Sequence, residues 1–174
     1  MRRLLATLAA LALIGVAPAA ARPAEVARVL PNARMVGEAT YAVVTVRLFN
    51  AELWTESTRF SWDRPFALTL TYERGARGSL LINRSIREMS QRGAGNAEAL
   101  APLRAQLERC FPNVSRGDRI TGFSPSPDVA QFYFNGAQRC DVRWPGFRRQ
   151  FFGIWLAGRG GADAEFSARL RGET

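Results

Sequence analysis

The sequence predicts an α+β domain built on a mainly antiparallel sheet. Three observations carry this. Segments rich in Val, Thr, Phe and Tyr with two-residue alternation flank a central helical stretch. Asn135-Gly136, between two such segments, marks a tight two-residue hairpin. Apolar residues recur at helical spacing only in the middle and near the end of the chain, so strands and helices come in blocks and do not alternate one for one.

The elements follow in order. Residues 22–36 read as a lead-in. Thr40 to Phe49 reads as one strand, with Ala42, Val44, Val46 and Leu48 on one face and Tyr41, Val43, Thr45, Arg47 and Phe49 on the other. Phe66 to Arg74 is a second strand, in which Phe66, Leu68, Leu70 and Tyr72 alternate with Ala67, Thr69, Thr71 and Glu73. Gly75 and Gly78 break this pattern, and Ser79 can cap a helix running to about Arg92 with Ile82, Ile86 and Met89 on its buried face. Leu103, Leu107 and Cys110 place another helix that begins near Pro102, where proline is tolerated. Arg119 to Ser124 is the next strand, and Ala130–Phe134 pairs with Ala137–Val142 around the hairpin. Pro145 opens a helix carrying Phe147, Phe151, Ile154 and Trp155, closed by Gly158. Asp163 can cap a last short helix holding Phe166 and Leu170.

The first 21 residues have the pattern of a cleavable secretory leader. Arg2 and Arg3 precede an uncharged apolar run from Leu4 to Val16, and Ala17-Pro18-Ala19-Ala20-Ala21 supplies small residues for cleavage after Ala19 or Ala21. The run is about 13 residues, short of the roughly 20 that a spanning helix needs. The expectation is an exported, periplasmic protein whose mature part, residues 22–174, is one domain of ordinary size.

Removing Arg2 and Arg3 takes the net charge from +9 to +7, and every positive charge is arginine because the chain has no lysine. Beyond the leader the arginines are scattered as far as Arg171, never in a run longer than Arg148-Arg149, which argues against a nucleic-acid partner and leaves weak contact with anionic membrane surfaces. With no histidine, Ser-His-Asp and Cys-His triads, His-ligated zinc and histidine general bases are excluded, and two cysteines alone make a poor metal site. No phosphate-binding glycine loop or other cofactor motif appears. Cys110 and Cys140 read as a disulfide in an oxidising compartment, with two buried thiols as the alternative.

Three stretches, taken together in order and spacing over about residues 36–172, resemble the chalcone-isomerase-like family in its bacterial, secreted branch. The first is Leu48 to Trp54 followed by Pro65 to Arg74. The second is Phe111-Pro112-Asn113-Val114 leading through Gly117 to Ile120 and Phe132 to Gly136. The third is Phe147 to Leu156. The resemblance implies a large antiparallel sheet with helices packed over one face and a cleft between the layers. It also implies either cyclisation of chalcones to flavanones, as in active plant members, or fatty-acid binding without catalysis, as in related plant proteins.

The plant enzymes resemble one another in placing an arginine, a threonine, a tyrosine and an asparagine or threonine in the cleft. By this resemblance Met35-Val36 falls near the catalytic arginine, Val44 where the enzymes carry a threonine, and Ile154-Trp155 where they place another. None keeps the polar group, although Arg34 or Arg47 can substitute if the register shifts. Arg47 shares the predicted strand face with Tyr41 and Thr45, an arrangement able to hold an anion, and snorkelling of Arg47 to water is the plainer alternative. Tyr72 and Arg74, two residues apart, can clamp a carboxylate or simply face solvent. The first expectation is therefore a non-catalytic binder of a small apolar or fatty-acid-like ligand, with Tyr41, Val44, Thr45, Arg47, Tyr72, Arg74, Ile154 and Trp155 as candidate lining. A chalcone-isomerase-type intramolecular lyase acting on an enone is second. A structural or interaction protein whose cleft is closed by Trp155 is third.

Overall fold

The computed structural model describes residues 21–159 and 161–173. The leader read over residues 1–21 lies outside the described residues, apart from Ala21.

Eleven elements are described: α1 (Ala24–Val29), β1 (Arg34–Val43), β2 (Val46–Thr55), β3 (Phe66–Tyr72), α2 (Gly78–Gln91), α3 (Ala101–Cys110), β4 (Arg119–Ser126), β5 (Val129–Phe134), β6 (Ala137–Arg143), α4 (Phe147–Leu156) and α5 (Gly161–Leu170). The strands form one sheet in the order β1-β2-β3-β4-β5-β6, each antiparallel to the next. The fold is the predicted α+β with an antiparallel sheet.

One predicted strand is two. The chain reverses at Val44-Thr45, where Val44 takes φ 56°, so Thr40–Phe49 is the tip of the β1–β2 hairpin. Two-residue alternation misses this turn because apolar residues continue through it on both sides. Tyr41 and Phe49, seven intervening residues apart in sequence, become cross-strand partners, and Arg47 pairs with Ala42 after a register shift. The single face predicted for Tyr41, Thr45 and Arg47 does not exist. β1 also starts earlier than expected, since Arg34 to Val36 fall in the predicted lead-in and Gly37 to Ala39 in no predicted element, Gly37 and Glu38 being poor strand formers. Gly37 is there for closeness: a Cβ at this position would overlap the carbonyl oxygens of Arg169 and Leu170 at the end of α5.

The sheet's inner face carries the main core. Phe66, Phe132, Phe147, Phe151 and Phe152 are fully buried there, with Phe147 and Phe151 stacked at 4.7 Å on successive turns of α4. At about 1.5–3 kcal/mol per buried large side chain, this cluster is the principal source of stability. Gly122 of β4 makes room for it, since a Cβ there would sit 2.9–3.0 Å from the rings of Phe152 and Phe132. α2 contributes Ile82, Ile86 and Met89, α3 Leu103 and Leu107, and α5 Phe166 and Leu170. Arg148 of α4 is buried among them. Its Nε donates to the Ser124 hydroxyl at 2.8 Å, and its other nitrogens donate to the carbonyls of Trp62 (2.8 Å) and Ser124 (3.1 Å), tying the β2–β3 connection to the helix.

Helices α2 to α5 cover this inner face, as expected, but α1 departs from the one-face arrangement. Its Val26 and the following Leu30 pack on the outer face against Trp54, Ala67, Phe123 and Tyr133. The Cys110 and Cys140 sulfurs are joined, with the two Cα atoms 5.3 Å apart, linking the end of α3 to the edge strand β6. The asparagine-glycine hairpin forms as predicted, with Asn135 at φ 48° and Gly136 at φ 87°. Among the described residues no helix is long and apolar enough to cross a membrane.

Candidate functional site

A cleft of about 180 Å³ opens between the β1–β3 end of the sheet and helices α2, α4 and α5. Its aromatic lining is a consequence of the hairpin reversal. Tyr41 stacks on Phe49 at 5.2 Å with the rings 10° from parallel, and Phe166 of α5 meets Tyr41 edge-on at 5.5 Å. Tyr72 of β3 approaches Phe49 at 6.1 Å. Leu70, Leu81, Phe111, Ile154 and Trp155 complete the apolar lining. Trp155 is only partly buried and leans edge-on to Phe151 at 5.2 Å.

Polar groups reach the cleft chiefly from one stripe of α2. Leu81, Ser85 and Glu88, with Arg92 at the C-terminal cap just beyond the helix, recur at i, i+4, i+7 and i+11 and all line it, as does Arg84. Arg84 donates from a terminal nitrogen to the Tyr41 hydroxyl at 3.1 Å and stands 5.6 Å over the Tyr41 ring. Arg92 donates to the carbonyl of Ala157 at 2.8 Å, while its Nε is buried and has no acceptor. Burial, and then the neighbouring Arg159 charge, push the Arg92 pKa down; the guanidinium stays charged, since arginine does not deprotonate in proteins. The Ser85 hydroxyl is already used by the carbonyl of Leu81, at 2.9 Å. Burial raises the pKa of the Tyr72 phenol, which is therefore neutral at ordinary pH. Asp163 also lines the cleft.

A second, shallow and polar depression adjoins the first. It is lined by Thr45, Arg47, Glu73, Arg74, Gly75 and Arg116, and Arg74 and Gly75 belong to both. Arg47 is held here by Glu73 at 3.2 Å and by the Thr40 hydroxyl at 3.3 Å, with its side chain 61% exposed.

The structure thus brings Tyr41, Tyr72, Arg74, Ile154 and Trp155 together around the apolar cleft and places Thr45 and Arg47 in the neighbouring depression. Val44 is corrected: it stands at the hairpin tip, 94% exposed, because the turn carries it out past the end of the sheet. Arg34 sits exposed at the start of β1, paired with Thr55, and does not line the cleft. Phe166, Arg84 and Arg92 were missed. The stripe of α2 next to its buried face was the available signal, because residues at the border of a packed face are those a cleft reaches.

An antiparallel sheet with a helical layer on one face and an aromatic, arginine-edged cleft between them is an α+β fold of the chalcone isomerase type. Among solved structures the chain is similar to a fatty-acid binding protein of Arabidopsis thaliana, with a TM-score of 0.62 and 10% identity over 81% of this chain and 87% of that one. At that identity the likeness is one of fold. No protein-family model matches the sequence, and no curated protein matches it.

Proposed function

We propose that this protein is an exported, non-catalytic carrier of a small amphipathic acid, with the acyl chain in the apolar cleft and the carboxylate on its arginines. The observation that carries this reading is a cleft walled by aromatic and aliphatic side chains whose polar lining holds three arginines, Arg74, Arg84 and Arg92, against two acids, Glu88 and Asp163. A carboxylate can take a charge-assisted bond from one of these guanidiniums, and each buried methylene adds about 0.8 kcal/mol. The fold it shares with a plant fatty-acid binding protein supports the same reading. The cleft is smaller than the roughly 300 Å³ of an ordinary ligand pocket, so it suits a short chain. Isomerisation needs several polar groups placed within tenths of an ångström. Here Ile154 and Trp155 stand in the cleft where the resemblance puts polar groups, and Val44 lies outside it.

The disulfide supports export, since such bonds persist in oxidising compartments. Sequencing of the mature N-terminus checks it, with Ala20 or Arg22 expected first.

The binding test is calorimetry with saturated fatty acids of graded length for wild type and Arg92→Met, alongside turnover of naringenin chalcone against its spontaneous rate. Binding of short acids that weakens at least tenfold in Arg92→Met, with no turnover, is expected. Turnover clearly above background that an arginine substitution abolishes would overturn the non-catalytic reading. Failure of every acid to bind would overturn ligand binding itself.

A further inference from the structure

The β1–β2 tip contradicts its own local chemistry. A two-residue turn with positive φ favours Asn, Asp or Gly, yet Val44 takes φ 56°, a genuine outlier for a β-branched residue. Its side chain is 94% exposed, and its neighbours Val43 and Val46, cross-strand partners, are 49% and 38% exposed. Of the five large apolar side chains left exposed among the described residues, three are here. Neither packing nor turn geometry gains from valine at this point, so the contact that uses it lies outside the chain.

The charge around the tip says what that contact is. Thr45 opens directly onto the depression formed by Arg47, Arg74 and Arg116, all exposed, with Glu73 the single acid among them. Three guanidiniums and one carboxylate leave an excess positive charge beside an apolar point. Apolar side chains at the end of a hairpin, ringed by arginine, match the boundary of an anionic bilayer, where the valines enter the acyl region and the arginines meet phosphates. A protein partner would need a broader apolar face than one turn supplies.

We propose that the β1–β2 hairpin tip, Val43 to Val46, together with Arg47, Arg74 and Arg116, is a docking surface for anionic lipid membranes. Arg74 also lines the apolar cleft, so the docked protein presents the cleft's edge to the lipid surface. The proposal needs no ligand in the cleft and stands apart from fatty-acid binding.

The test is co-sedimentation of the full chain with vesicles of phosphatidylcholine mixed with phosphatidylglycerol, and with vesicles of phosphatidylcholine alone. All variants share one N-terminus, so differences among them report the tip. Wild type is expected to bind the anionic vesicles preferentially and to be released by salt. Val44→Asn, which suits the turn, should bind about tenfold more weakly while its thermal midpoint stays equal or rises. Arg116→Ala should bind about fivefold more weakly, which corresponds to about 1 kcal/mol for one basic residue at an anionic surface. Fatty-acid affinity in solution should be unchanged in both. Equal binding of Val44→Asn and wild type, no preference for anionic vesicles, or a self-association that Val44→Asn abolishes would each overturn the proposal.

Discussion

Glu25 and Arg119, 94 positions apart, meet in a two-pronged ion pair. Arg119 Nε donates to one carboxylate oxygen at 2.8 Å and a terminal nitrogen donates to the other at 3.1 Å. The Thr121 hydroxyl donates to the same carboxylate at 2.8 Å and is itself 3.1 Å from the Thr69 hydroxyl. Through this contact the short helix α1, too brief to persist alone, is fixed to the outer face of the sheet.

Removing that carboxylate should loosen α1. Burial pushes the Glu25 pKa up, but the hydrogen bonds from Arg119 and Thr121 outweigh it and the net shift is downward. A carboxyl with a depressed folded value stabilises the fold above its unfolded pKa and loses that contribution as pH falls through the folded one. Glu25→Gln is expected to cost about 2–3 kcal/mol near neutral pH, the price of a charged buried hydrogen-bond network. Urea denaturation should show the gap from wild type narrowing once the pH drops below about 4.

Glu52 has the opposite sign. It lies directly across from Glu38 in the β1–β2 ladder, and burial, with the Glu38 charge adding to it, raises its pKa. A raised carboxyl favours the folded state at low pH and opposes it once pH climbs through the folded value. Glu52→Gln should therefore stabilise the protein near neutral pH by about 0.5–1 kcal/mol, with no gain in acid. An unchanged or lower denaturation midpoint at neutral pH would show that the pair is not repulsive.

The disulfide closes a loop of separation 30 between α3 and β6. On the chain-entropy account its loss costs about 3–4 kcal/mol. Cys140→Ser and wild type under reducing conditions should lose similar amounts in chemical denaturation, because the same unfolded-state constraint is removed in both.

Trp155 lines the cleft, and on the proposed binding mode it would limit the length of chain the cleft accepts. Trp155→Ala should enlarge it, raise affinity for longer fatty acids at least fivefold relative to short ones, and lower stability by about 2 kcal/mol. Calorimetry across chain lengths measures the shift in preference. If the preferred length does not change, the chain does not run along Trp155.

Much of the fold was legible because its signals are local. Asn135-Gly136 demanded a hairpin, Ile82, Ile86 and Met89 demanded a helix, and the alternation of Phe66 to Tyr72 demanded a strand. The failures came where a local rule was broken or a distant partner decided. Val44 occupies a turn position that suits Asn or Gly, so the turn was invisible and the register of Tyr41, Thr45 and Arg47 went with it. Glu25 lies in the predicted lead-in, and nothing local in the sequence marks it as the partner of Arg119, 94 positions away. Of the cleft, Tyr41, Tyr72, Arg74, Ile154 and Trp155 came from sequence, while Phe166 and Arg92 depended on how α2 and α5 settle on the sheet.

The strictly sequential strand order has a kinetic meaning. Four of the five pairings join strands separated only by a turn or a connection, so each closes with a small loss of chain entropy. The fifth, β3 with β4, must wait for the whole segment carrying α2 and α3 to fold back between Tyr72 and Arg119. The N-terminal β-meander and the C-terminal one can thus form early and apart, and their joining, which also brings the α2 stripe over the sheet, creates the cleft. Substitutions within either hairpin, whose contacts are made before the halves join, should slow folding and leave unfolding little changed, whereas weakening contacts made only after the joining should mainly speed unfolding.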